Sequence, residues 1–167
     1  LMDKYVYSAK RSSSTRHLGV YVLAGDTVVA AGRRIMPKAE TAQQARDCLT
    51  TLSGRRHRVY GGIALQLLNG QLRRRLVQSH VRFRQLSALD IDQSIENGDW
   101  RGKAGGYAIQ GTAARFIRDI SGSYSNIVGL SIYDVAAMLD SVGWRQADHP
   151  SGKNQEIQAL SKSNGQL

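Results

Sequence analysis

Residues 20–30 read VYVLAGDTVVA, and this stretch decides the fold. Val20, Tyr21, Val22, Leu23, Val28 and Val29 are β-branched, aromatic or aliphatic, the side chains that suit a pleated and buried surface. So long an apolar run marks a central strand, which the polar pair Asp26 and Thr27 interrupts. A carboxylate in such surroundings is costly unless it has partners. Asp26 is therefore a candidate for orienting a water or holding a divalent cation, and a turn aspartate closing a hairpin is the equal alternative.

Downstream, Ala31-Gly32-Arg33-Arg34 supplies a turn, and Ile35 to Pro37 reads as a short return strand. Thr41 caps a predicted helix TAQQARDCLTTL in which Ala42, Ala45, Cys48, Leu49 and Leu52 recur at helical spacing, and Ser53-Gly54 stops it. Two long strands follow, His57 to Leu68 and Leu72 to Leu86, joined at the hairpin dipeptide Asn69-Gly70. In the second, Val77, Val81 and Phe83 share one face while Arg74, Arg82 and Arg84 share the other. Ser87 to Glu96 is a short helix whose Ser87 and Asp90 form a capping box. The glycine-rich loop GDWRGKAGGYAIQG comes next, then an expected helix from Thr112 to Ile120 and a strand-like segment from Gly122 to Leu130. Ser131 opens a last amphipathic helix that Gly143 closes.

Strands alternating with helices give an α/β class. At 167 residues and 41% hydrophobic content the chain makes one domain, residues 1–147, followed by a polar tail at 148–167. The lone Cys48 makes no intramolecular disulfide and reads as a buried small hydrophobe. With no secretory leader and no long apolar span, the expected location is the cytoplasm, away from membranes. Lys and Arg number 23 against 13 Asp and Glu, a net charge of +10 that favours polyanions or phosphorylated small molecules. Nucleic acid ranks last among these, because no stacking platform or recognised binding motif accompanies the charge.

Lys38 follows the return strand and Lys103 sits among loop glycines, where backbone N–H groups and an ammonium can hold phosphate together, though a glycine-flanked lysine by itself is more often a solvated loop residue. Neither segment fits GxxxxGK[ST] or GxGxxG, so a P-loop and a dinucleotide fingerprint are excluded on spacing. The Gln110 amide carries both donor and acceptor, which suits one edge of a nucleobase and equally suits capping the next helix.

Four fragments, LAGDTVVAAGRRIMPKAE, LSGRRHRVYGGIAL, GDWRGKAGGYAIQG and GSYSNIVGL, stand in the order and spacing of the Maf-like (septum formation inhibitor) family, a resemblance covering about residues 16 to 144. It implies an α/β fold like that of the inosine triphosphate pyrophosphatases, a mixed sheet flanked by helices, and often a homodimer. The implied activity is metal-dependent hydrolysis of a nucleoside triphosphate to monophosphate and pyrophosphate, with Mg²⁺ or Mn²⁺ as cofactor. By position, Asp26 resembles the catalytic base and Thr27 a residue linked to substrate choice; Lys38 and Lys103 resemble phosphate-facing lysines. Arg55 is a further candidate for the phosphates, and Asp99, where the family has Glu, a candidate metal ligand beside Asp26. Gln110 resembles the glutamine of the branch acting on dTTP and UTP.

The family's N-terminal strand and SxSxRR loop have no counterpart in this sequence, since Ser12 to Arg16 stands too close to Asp26 to be that loop. Gly61 also replaces the usual Thr. The alternative to a dTTP/UTP pyrophosphatase is therefore a catalytically impaired remnant that at most binds nucleotides.

Overall fold

A computed structural model of the chain describes residues 7–10 and 20–144; the expected tail and the Ser12–Arg16 fragment lie outside them. In chain order the elements are β1 (Tyr7–Lys10), β2 (Val20–Ala31), β3 (Arg34–Met36), α1 (Ala42–Leu52), β4 (Arg56–Gln66), β5 (Leu72–Phe83) and α2 (Ala88–Asn97). A 3-10 turn (Thr112–Phe116), β6 (Ile117–Ser121), α3 (Tyr124–Val128) and α4 (Ile132–Asp140) follow.

The strands form a six-stranded sheet in the order β1-β2-β4-β5-β6, with β3 also on β2. The α/β class with flanking helices is observed. The parallel component of a mixed sheet is not found among the described residues, where every pairing is antiparallel. β2–β3 and β4–β5 are hairpins, and short connections of that kind make antiparallel neighbours whereas parallel ones need a crossover.

Period-two alternation puts the odd-numbered residues of the central strands on one face. His57, Val59, Ile63 and Leu65 of β4 are buried, as are Ser79, Val81 and Phe83 of β5. Two core clusters lie on this face. The larger joins Val29, Val59, Val81 and Phe83 to Cys48, Leu49 and Leu52 of α1 and Ile91 of α2; the smaller joins Tyr21, Leu23, Ile63 and Leu65 to Met138 of α4. Cys48 is the expected buried thiol, its pKa pushed up by desolvation. Ala42, expected on the buried stripe of α1, is exposed.

Both expected caps, Thr41 and Ser87, are formed, and each is a capping box. The Thr41 hydroxyl accepts from Gln44 N at 3.2 Å while the Gln44 amide oxygen accepts from Thr41 N. Ser87 and Asp90 exchange the same pair of bonds at α2. Each such cap contributes about 1 kcal/mol.

Two segments differ from expectation. Thr112–Ile120 is not one helix: the 3-10 turn gives way at Ile117 to β6, an edge strand on β5. Gly122–Leu130 is not a strand: it holds α3, with Ser123 accepting from Asn126 N at its start. Ser131 precedes α4 but caps no backbone N–H; its hydroxyl donates to Asp134 at 2.6 Å.

Candidate active site

Between the two core clusters, over the middle of β2, lies a cavity of about 630 Å³, within the range of small-molecule sites. Leu23, Gly25, Thr27, Val29 and Val59 line it from the sheet; the glycine-rich loop and the α3–α4 region supply its other walls. A Cβ at Gly25 would come within 2.8 Å of the Leu130 side chain, so glycine lets that wall approach the strand.

Asp26 sits on a particular stretch of β2. One edge of β2 is paired by β4; the other is paired by β1 at residues 20–23 and by β3 at residues 29–31. Between those two, residues 24–28 have no strand neighbour on that edge among the described residues. There the Asp26 Oδ1 accepts from its neighbour's amide, Thr27 N, at 2.9 Å and from Lys38 Nζ at 3.2 Å. Both side chains are about one-third exposed, so this ion pair adds little to stability, and it leaves both groups within reach of a ligand. The Thr27 hydroxyl donates to Gly129 O at 3.1 Å, tying β2 to the end of α3.

Lys38 and Lys103 are brought together by the backbone. Ala39 N donates to Lys103 O at 3.1 Å, Gly102 N to Ala39 O at 2.8 Å and Gly105 N to Pro37 O at 3.0 Å, with an isolated bridge between Lys38 and Ala104. The glycine-rich loop is thus stapled to the segment leaving β3. Gly106, at φ 68°, seats it on α1: a Cβ there would meet Ala45 Cα and Cys48 Cβ at 3.1 Å each. Past this contact the loop delivers Tyr107, Ile109 and Gln110 to the same cavity.

Asp26, Thr27, Lys38, Lys103 and Gln110 therefore line one cavity. Arg55 is not among its lining residues. It is exposed just before β4, seven residues from Gly62, the partner of Asp26, or about 23 Å in extended chain. Asp99 is also outside the lining. Its Oδ2 accepts from Thr112 N at 2.9 Å and from the Thr112 hydroxyl at 3.0 Å, bonds that hold its pKa below the usual range and fasten the loop to the 3-10 turn.

Three neighbours of the site escaped sequence reasoning. Tyr107 lines the cavity, and its hydroxyl meets His57 Nε2 at 2.8 Å in the core below. Burial pushes the His57 pKa down to about 4 and the Tyr107 phenol up, so both are neutral at pH 7. Asn126, fully buried, donates from Nδ2 to Val59 O at 3.3 Å and to Ser79 Oγ at 3.1 Å. It occupies the space above Gly61, where a Cβ would overlap its Oδ1. Tyr124 stands at the cavity wall and is 48% exposed. The aromatic within GSYSNIVGL was the available signal for Tyr124; the His57–Tyr107 pairing, fifty residues apart, left none.

Comparison with known proteins identifies the family. The sequence profile of the family described as Maf-like protein matches residues 4–142. The chain is 58% identical over 129 residues to a dTTP/UTP pyrophosphatase of Paramagnetospirillum magneticum, covering 77% of this chain and 68% of that protein. It is 56% identical over 130 residues to a dTTP/UTP pyrophosphatase of Rhodospirillum rubrum (78% and 62% coverage) and 51% identical over 137 residues to one of Mesorhizobium japonicum (82% and 66%). The matched part thus spans about two thirds of these relatives' own length, and on the strength of these matches the chain belongs to the Maf-like protein family.

Proposed function

We propose that the protein hydrolyses dTTP and UTP to the monophosphate and pyrophosphate. The observation that carries this reading is the meeting of one carboxylate, two lysines and one amide, Asp26, Lys38, Lys103 and Gln110, in a single cavity of nucleotide size. The names of the relatives support the choice of substrate.

Cleavage between the α and β phosphates needs positive charge around the leaving pyrophosphate and a positioned water at the α phosphorus. Lys38 and Lys103 supply charge from the two stapled segments. Asp26 supplies the base. With Oδ1 engaged by Thr27 N–H and Lys38, Oδ2 is the oxygen to take the water's proton. Gln110 reads the base edge, donating to a carbonyl and accepting from a ring N–H, a pairing that uracil and thymine offer alike.

The divalent cation implied by the family meets one carboxylate in this cavity. Among the described residues no three His, Cys, Asp or Glu side chains converge, and Asp99 is engaged by Thr112. A single carboxylate together with the substrate's own phosphate oxygens is a donor set that suits Mg²⁺, which keeps several waters and is bound this way elsewhere. Asp26 therefore fits as the side chain that would hold it, and the ion when bound would draw charge from the phosphoryl oxygens.

The second reading, a protein that binds nucleotides without turning them over, is favoured by one observation: Arg55 lies away from the cavity, leaving two lysines as its lining cations. Reaction in ¹⁸O-labelled water separates the two. Label in the monophosphate with unlabelled pyrophosphate supports hydrolysis at the α phosphorus; nucleotide binding with no product supports the second reading.

A further inference from the structure

We propose that Tyr124 is the platform on which the nucleobase stacks, an inference that rests on the nucleotide reading above. A base held by its edge at Gln110 also needs a flat apolar surface against its face. Two aromatic rings line the cavity, Tyr107 and Tyr124. Tyr107 is already committed. It is buried, its hydroxyl is bonded to His57, and its ring packs edge-on against Phe83 and His57. Tyr124 makes no ring contact and no hydroxyl hydrogen bond among the described residues, and half of its surface stays in water.

An exposed tyrosine is by itself ordinary. What distinguishes this one is its support. α3 has five residues, too few to hold together alone, yet it is pinned to three strands. Ser79 Oγ donates to Ser123 O at 2.9 Å, Asn126 ties the helix to β4 and β5, and Thr27 ties its far end to β2. Ser125 Oγ, next to Tyr124, accepts from Ile132 N at 3.0 Å and fixes the start of α4. Glycine at position 61 is what admits Asn126 to its anchoring place. Four elements thus hold in place a half-exposed tyrosine that makes no ring–ring contact among the described residues, beside a cavity. Val128 and Ile132, both exposed and both lining the cavity, extend the apolar wall.

Every base has a π-face, so stacking contributes affinity without choosing among bases, and the choice falls to Gln110. The test measures binding of α,β-methylene-UTP, which cannot be cleaved at the scissile bridge, and of inorganic triphosphate, which has no base. Calorimetric titration with Mg²⁺ would compare the wild-type protein with Tyr124→Ala and Tyr124→Phe. The expected result is a loss of about ten-fold or more in the affinity of Tyr124→Ala for the analogue, within the span measured for removal of a stacking aromatic. Tyr124→Phe should stay within about two-fold of wild type, and inorganic triphosphate should bind all three proteins alike. Wild-type binding that Tyr124→Ala leaves unchanged overturns the inference while sparing the proposed function. An equal loss for both ligands also overturns it, since that marks damage to the scaffold. A wild-type protein that binds no nucleotide analogue overturns the proposed function and this inference with it.

Discussion

Gly106→Ala tests how the loop bearing Lys103 and Gln110 is seated. Gly106 has φ 68°, and an L-residue held there costs about 1–2 kcal/mol. Its new methyl would also press on α1, against Ala45 Cα and Cys48 Cβ at 3.1 Å and Ala45 O at 3.3 Å. Those are backbone and short core atoms that cannot swing aside, so an overpacking cost of about 1–3 kcal/mol adds to the first. The sum is about 2–5 kcal/mol. Gly32→Ala is the control, since Gly32 has φ 58° and nothing within 4 Å of a Cβ, so it carries the conformational cost alone. For a domain of this size each kcal/mol lowers Tm by about 2–4 °C. Gly106→Ala should therefore melt about 4–20 °C below wild type and Gly32→Ala about 2–8 °C below, by calorimetry or urea denaturation. Nucleotide affinity should fall with Gly106→Ala and hold with Gly32→Ala. Equal melting points for the two variants would refute the seating of the loop on α1.

Two further outcomes follow from the core. Gly61→Ala should destabilise by about 1–3 kcal/mol, because its methyl displaces the buried Asn126 side chain, and the same change made in an Asn126→Ala background should cost much less. A double-mutant cycle measures that coupling. His57 is neutral in the fold, its pKa about 4 against an ordinary 6.5. In the unfolded chain it takes up a proton below pH 6.5, so its contribution is whole above that value and is lost as pH falls towards 4, about 3 kcal/mol in all. Denaturation between pH 4 and 7 should show that loss, and His57→Gln, which keeps a partner for the Tyr107 hydroxyl, should flatten it.

Much of this molecule is legible in its sequence where the signal is local. Thr41 with Gln44 and Ser87 with Asp90 mark helix starts through bonds spanning three residues. The β4–β5 hairpin shows in the alternation along β4, in Val81 and Phe83 flanking Arg82 on β5, and in the dipeptide Asn69-Gly70, where Gly70 N donates to Leu67 O at 2.9 Å. β6 misleads for a physical reason. Phe83 faces Ile117 and Val81 faces Ile120, so a bulge places three residues of β6 against two of β5. That extra residue puts Ile117 and Ile120, the partners of Phe83 and Val81, at i and i+3, which is a helix's spacing rather than a strand's, although Ile120 is exposed. α3 misleads in the opposite way. Its β-branched Ile127 and Val128 favour a strand, and helix forms because Asn126 and Ser123 are anchored to residues more than forty positions away. At the cavity, the types and neighbours of Asp26, Lys38, Lys103 and Gln110 leave alternatives open, and it is the family resemblance that singles these residues out. Asp99 carries the same chemical promise, but its bonds to Thr112 are a tertiary matter that no spacing reveals.

The most direct measurement is pyrophosphate release from dTTP and UTP with Mg²⁺ by the wild-type protein and by Asp26→Asn. Asparagine keeps an acceptor for Thr27 N–H and Lys38 while removing the base, so the fold should stand. Release by the wild type and a fall of about 10²-fold or more in the variant, the usual worth of a positioned general base, are the expected results. Equal rates for the two proteins would contradict the role of Asp26 as base.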